Sequence, residues 1–128
     1  MSASNAQPER PANLYEEFRG KPWSQGEKKT ARRAFEKALG AELEQTMEQF
    51  KQKASRVQDS DDMWKLEGWL GARRREINNK YDNRYSQMTF VLGVLLSQGR
   101  INEEDLQGLR EDKIEQIRLI ASSKPGRR

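Results

Sequence analysis

The chain has 128 residues, of which 34% are charged and 34% hydrophobic, with 24 Lys and Arg against 20 Asp and Glu and neither Cys nor His. That length suits one domain, and so low an apolar fraction implies a thin core spread along elongated helices, or a surface completed by a partner. Without Cys or His there are no thiol nucleophiles, serine-histidine dyads, disulfides or usual zinc and haem ligands, which leaves carboxylates, Lys and Tyr for any chemistry.

The net charge of +4 is local: Lys124, Arg127 and Arg128 lie in the last seven residues, and the remainder carries 21 bases against 20 acids. The folded part lacks the cationic surplus that would release many phosphate counterions, so nucleic acid is an unlikely partner. No stretch resembles an export signal or a membrane span, and a cytoplasmic setting follows as the default.

Residues 1–21 contain Pro8, Pro11 and Gly20 among small polar residues and read as a mobile N-terminal extension, in which Leu14, Tyr15 and Phe18 form at most a brief apolar face. Ser24 followed by Glu27 is a capping box that starts a long helix. Phe35, Leu39, Leu43, Met47, Phe50, Ala54 and Val57 recur along it at steps of three and four, one slowly drifting stripe. A run of this length needs a second long helix beside it. Ser60, Asp61 and Asp62 supply cap oxygens and negative charge for that helix, and Met63, Leu66, Leu70, Ile77 and Tyr81 make the stripe expected to meet the first. Met88 to Leu96 is apolar almost all round and reads as a short helix, capped by Ser86 and closed by Gly99 in a left-handed turn. The last helix is expected from Asn102, with Glu103, Glu104 and Asp105 in its first turn and Leu106, Leu109, Ile117 and Ile120 inward. The architecture is all-α: two long helices in an elongated antiparallel hairpin, two short helices forming a head, and a dimeric assembly. The domain spans 22–121, followed by a basic disordered tail at 122–128.

On the second helix Trp64, Gly68, Gly71 and Arg75 project away from the packing stripe, within about 60° of one another. An exposed Trp beside two helix-interior glycines, each costing about 1 kcal/mol against Ala, marks a face that something approaches closely. Arg73, Arg74 and Arg75 form a cationic rim. The competing arrangement folds Trp64 back on the fourth helix of its own chain. The three arginines point in different directions, so a salt-bridge role involving Glu67 and Glu76 is favoured over phosphate contacts. Trp23 and Trp69 read as packing residues, Trp23 as a staple before the first helix. The carboxylates at 61–62 and 103–105 already have a helix-start role, and no catalytic residue, cofactor site or metal site is assigned.

The chain resembles the fluorescence recovery protein family from about Pro22 to Ala121. The resemblance is carried by Pro22-Trp23-Ser24-Gln25, by Asp61-Asp62 leading into Trp64-Lys65-Leu66, and by Ala72, Arg74, Glu76, Ile77, Lys80, Tyr81, Asp82 and Arg84. It continues through Phe90-Val91, Leu95-Leu96, Gly99, Leu106 and Asp112-Lys113. It implies a cofactor-free helical homodimer that binds the light-activated orange carotenoid protein and speeds its return to the resting orange form, ending phycobilisome quenching. It places Trp64 and Arg74 on the dimer and partner surface and Phe90 on a partner-binding head; Glu67, Gly68, Gly71 and Arg75 are assigned to the same surface beside them, and Lys113 to the head. The chain departs from the family pattern at Glu67 and Gly68, where a His-Asp pair is expected, and at Gln116, where a lysine is expected. Two alternatives follow: a dimeric adaptor of the same type with a different protein client, or a nucleic-acid binder using Arg73 to Arg75 and the basic tail.

Overall fold

The computed structural model describes residues 22–123, and among these there are four α-helices and no strand beyond an isolated bridge between Gln107 and Leu109. Helix α1 is Gln25–Ala54, α2 is Ser60–Lys80, α3 is Met88–Ser97 and α4 is Glu111–Ser123. Short 3-10 turns occupy Tyr85–Gln87 and Glu103–Leu106. The extension at 1–21 and residues 124–128 of the basic tail lie outside the described residues; Ser122 and Ser123, expected in that tail, continue α4.

The first cap forms as the residues dictate. The Ser24 hydroxyl accepts from the Glu27 amide and the Glu27 carboxylate accepts from the Ser24 amide, both at 3.1 Å. Glu27 is also buried, and its other oxygen accepts from the Arg110 amide at 2.9 Å, so one carboxylate fixes the start of α1 against the start of α4. For α2 the cap is Asp59, whose side chain accepts from the Asp62 amide, while Asp61 and Asp62 occupy the first turn. Ser86 does not cap α3; it lies inside the 3-10 turn that leads into the helix, and Gln87 takes the cap position without a side-chain bond. Gly99 closes α3 with φ of +73°.

The last helix starts later than Asn102. Asn102 and Asp105 make their own reciprocal capping box around the 3-10 turn, and Gly108, at φ +114°, bends the chain before α4 begins at Glu111. A side chain at Gly108 would also strike Thr30, whose Oγ1 would sit 2.4 Å from the added Cβ. Leu106, Leu109 and Ile117 are buried as expected, and Ile120 is half-buried.

The core belongs to the head. Met88, Val91, Leu92 and Leu95 of α3 pack with Ile101, Leu106, Leu109 and Ile117, against the alanine-rich face of α1 made by Ala31, Ala34 and Ala38 with Phe35. Small side chains on α1 let the head approach its backbone, and Gly93 does the same between α3 and α4, where an added Cβ would lie 2.5 Å from Ile120 Cγ2. From α2 only Ile77 is buried, joined by Tyr81 at its C-terminal end, whose ring meets Phe35 edge-on at 5.4 Å. The hairpin is antiparallel, since Lys53 reaches Trp69, Thr46 reaches Arg73 and Glu42 reaches Lys80.

Candidate functional site

The inward contact between α1 and α2 is polar. Beyond Ala38 the buried positions of α1 are Glu42 and Thr46, not the apolar stripe. Glu42 is 1% exposed and is the centre of an ionic hub. It accepts from Lys80 Nζ at 2.8 Å, Tyr81 Oη at 2.8 Å and Arg73 at 3.1 Å, and Arg100 approaches to 3.3 Å. Arg73 also donates to Thr46 Oγ1 and to Glu76. Burial alone would raise the Glu42 pKa. The bonds from Lys80 and Tyr81 and the charges of Lys80 and Arg100 outweigh it and hold the carboxyl below its ordinary value. Burial and the adjoining Glu42 carboxylate push the Tyr81 phenol up. The hub therefore stays ionised on the carboxylate and protonated on the phenol at neutral pH.

Leu43 and Met47 follow Glu42 and Thr46 by one residue, a forward rotation of about 100°. They are 43% and 55% exposed, so two of the seven residues of the expected apolar stripe turn away from α2. The same correction applies to α2, where Met63 and Leu70 are 45% and 38% exposed although Leu66 and Ile77 turn inward. They too lie forward of the inward face. On antiparallel helices, equal forward rotations bring both sets to the same side of the hairpin. Leu43, Met47, Met63 and Leu70 thus make one apolar side, with Glu67 and Arg74 near the same angle on α2 and Gly71 and Trp64 at its margin.

Trp64 is 60% exposed, so it is not folded back on α4. Gly68 would meet nothing within 4 Å if given a Cβ, and at Gly71 the nearest atom is the Arg75 guanidinium at 3.7 Å. The two notches are open in the protomer, with Arg75 leaning over one of them. Arg74 and Glu67 are exposed and form no ion pair with other described residues. Arg73 turns the other way, into the hub, which splits the triplet and leaves at most two arginines for any external anion.

The two expected head residues part company. Phe90 is 47% exposed on α3. Lys113 is 2% exposed: its ammonium lies 3.4 Å from Glu27 and from the Pro22 carbonyl and 4.9 Å from the centre of the Trp23 ring, so it ties α4 to the start of α1 and is not a surface contact. Trp23 packs as expected, but on Tyr85, 5.5 Å away, in place of a residue in the first turn of α1. Trp69 is half-buried under Lys53. Asp61, Asp62 and Glu103 to Asp105 sit at the starts of helical turns, and no group of three or more carboxylates placed to hold a metal occurs among the described residues. No described helix is long and apolar enough to cross a membrane.

A family model described as photoprotection regulator fluorescence recovery protein matches residues 23–121. The chain is 40% identical over 100 residues to the fluorescence recovery protein of Synechocystis sp. PCC 6803, covering 78% of this chain and 92% of that relative. The solved structure of the Synechocystis protein superposes with a TM-score of 0.73, covering 79% of this chain and 99% of that one. The Fremyella diplosiphon fluorescence recovery protein is 34% identical, with a TM-score of 0.74 and the same coverage.

Proposed function

Because the chain belongs to the fluorescence recovery protein family, we propose that it is a non-enzymatic photoprotection regulator that works as a homodimer on the photoactivated orange carotenoid protein. It binds the open, domain-separated state of that client and holds the two parts near their closed arrangement. Binding that favours the closing transition lowers the barrier to the resting orange form without changing a covalent bond. Phycobilisome quenching then ends. The setting is the cytoplasm, and neither a cofactor nor a metal takes part.

The observation that carries this reading is the apolar side of the hairpin. Four aliphatic or thioether side chains make one exposed side, with an indole and an open glycine notch at its margin, beside an inward contact that is polar. Such an arrangement is stable in water when a second protein covers it. Self-association through this side, with Trp64, Arg74 and Arg75 at its edge, leaves Phe90 on the head for the client. Mixing the full chain with photoactivated carotenoid protein in the dark and following the red-to-orange absorbance change tests the reading; acceleration that saturates with added protein supports it.

The departures at Glu67, Gly68 and Gln116 favour a second reading, a dimer of the same type serving a different protein client. Loss of one charge-assisted contact at an interface costs about 2 kcal/mol or more, enough to redirect affinity while leaving the fold intact. A stable dimer that leaves the carotenoid protein's dark recovery unchanged at saturation supports this second reading. Nucleic-acid binding through the arginine triplet has less support, since Arg73 is committed to Glu42.

A further inference from the structure

The start of α1 carries Lys28, Lys29, Arg32 and Arg33 within six residues; of the acids on either side, Glu27 is buried against Lys113 and Glu36 lies one turn beyond Arg32. Lys28, Lys29 and Arg32 line an open cleft of about 430 Å³ with Gln25 and Tyr85, and none of the described residues in its walls is a carboxylate. Lys28 Nζ stands 5.3 Å from the centre of the Tyr85 ring and the Arg32 guanidinium 5.8 Å from it. Arg32 donates to Tyr85 Oη at 2.9 Å, which fixes the ring beside both cations and leaves the phenolic O–H without an acceptor among the described residues. Elsewhere on the head the exposed cations are matched: Lys37 with Asp105, Arg84 with Asp82, and Arg118 with Glu103. Among the described residues, the cleft gathers three cations and a phenol with no carboxylate beside them.

We infer that the Lys28, Lys29, Arg32 and Tyr85 cleft is a docking site for an acidic stretch of a protein partner, at the N-terminal end of α1 and roughly 16 Å along the helix axis from Leu43 of the hairpin's apolar side. A carboxylate is acceptor-only and matches the ammonium, guanidinium and phenol donors. The Tyr85 ring, backed by Trp23 at 5.5 Å, supplies an apolar wall for the aliphatic stems of Glu or Asp. Three cations along one turn of helix fit two or three carboxylates of a peptide. A nucleic acid would need a longer track of phosphate contacts, and the rest of the folded chain is near neutral. The inference stands independently of which client uses the apolar side.

The test titrates the full-length, isotopically labelled protein with a hexaglutamate peptide and follows the three indole N–H resonances and the backbone amides by NMR. A saturable shift of the Trp23 indole and the amides of 28–33, with Trp64 and Trp69 unmoved, is expected. In the double variant Lys28→Gln/Arg32→Gln the affinity should fall about tenfold, the loss of two partly exposed charge contacts. The control Lys53→Gln/Arg56→Gln, which removes the same charge near Trp69, should change it less than about twofold. Tyr85→Phe keeps the ring stack and removes only the hydroxyl, so a weakening there in a protein with an unchanged thermal melt separates docking from misfolding. Equal loss in both double variants, shifts centred on Trp69 or on the tail, or tighter binding of a hexathymidylate through the same amides would each overturn the inference.

Discussion

Trp64→Ala removes the largest exposed apolar group of the hairpin. A buried Trp contributes about 150–250 Å², so the 60% that is exposed in the protomer amounts to roughly 90–150 Å² available to a partner. At about 25 cal/mol per Å² this is roughly 2–4 kcal/mol per protomer, and an isologous interface counts it twice. If only half of that area is covered, the dissociation constant still rises about a hundredfold or more. Sedimentation velocity and size-exclusion with light scattering across a micromolar dilution series read the constant directly. Far-UV circular dichroism at high concentration checks that the variant still folds, which the absence of Trp64 from the core predicts. A dissociation constant within about threefold of the parent would falsify the assignment of this side to self-association, because the exposed area of Trp64 predicts a far larger loss.

Arg74→Glu should weaken the same dimer or the capture of the client: it places a second carboxylate beside Glu67 at the same angle on α2, and the effect should shrink with added salt, as light scattering at two ionic strengths will show. Gly93→Ala should destabilise the head by about 1–3 kcal/mol, because its Cβ would sit 2.5 Å from Ile120 Cγ2 and 3.2 Å from the Ile117 carbonyl. Adding Ile120→Ala should recover part of the loss in a urea melt, and no recovery would mean that the backbone contact dominates. Glu42→Gln should cost about 3–5 kcal/mol at neutral pH, since it leaves Arg73, Lys80 and Arg100 around an uncharged centre. The pH dependence has a definite sign. The native carboxyl titrates below its ordinary value of 4.5, so the unfolded chain binds the proton first and stability falls with pH in that window. The difference between parent and Glu42→Gln should therefore be full above about pH 4.5 and shrink as pH drops through the lower native value. Urea unfolding at fixed protomer concentration across that range measures it, and parallel pH profiles for the two proteins would refute the hub's role.

The helices were legible because their signals are local. Ser24 with Glu27, the acids at 61–62 and Gly99 all do what their side chains or backbone freedom dictate within one turn. The Asn102 capping box was equally local, but Gly108 interrupts what looks like one continuous helix. A glycine between Gln107 and Leu109 was the available warning. Long-range facts were less visible. Glu42 looks like any of the carboxylates on a charged helix, and only tertiary placement brings three cations and a phenol to it. Lys113 likewise reads as a surface cation until α4 docks on Trp23 and Glu27. The exposed face of α2 was signalled by Trp64 and the two glycines, since neither residue type sits well on a solvated helix. The larger apolar side was hidden, because a stripe of Leu39, Leu43 and Met47 suggests an intrachain core whether its cover is the same chain or another. The basic cluster at 28–33 escaped notice for a different reason: summing charge over the folded part cancels a local surplus against acids that lie elsewhere.

The reversal of polarity between the two sides of the hairpin also bears on how the protomer folds. Outside the head, α1 and α2 bury few side chains completely between them, and Thr46 and Glu42 are polar. Two long helices joined this way gain little hydrophobic free energy to offset the entropy of ordering them. What the ionic hub supplies is register: a slip of α2 along α1 by one turn would carry Lys80 and Arg73 about 5 Å from Glu42 and strand a buried carboxylate. The hub selects one alignment, and if a second copy covers the apolar side, as proposed, folding of the hairpin and association are coupled steps. On this account the distal half of the hairpin, from Thr46 through Arg73, should exchange its amide hydrogens faster on dilution, while α3 and α4 keep their protection. Uniform loss of protection across all four helices on dilution would show instead that head and hairpin form a single cooperative unit.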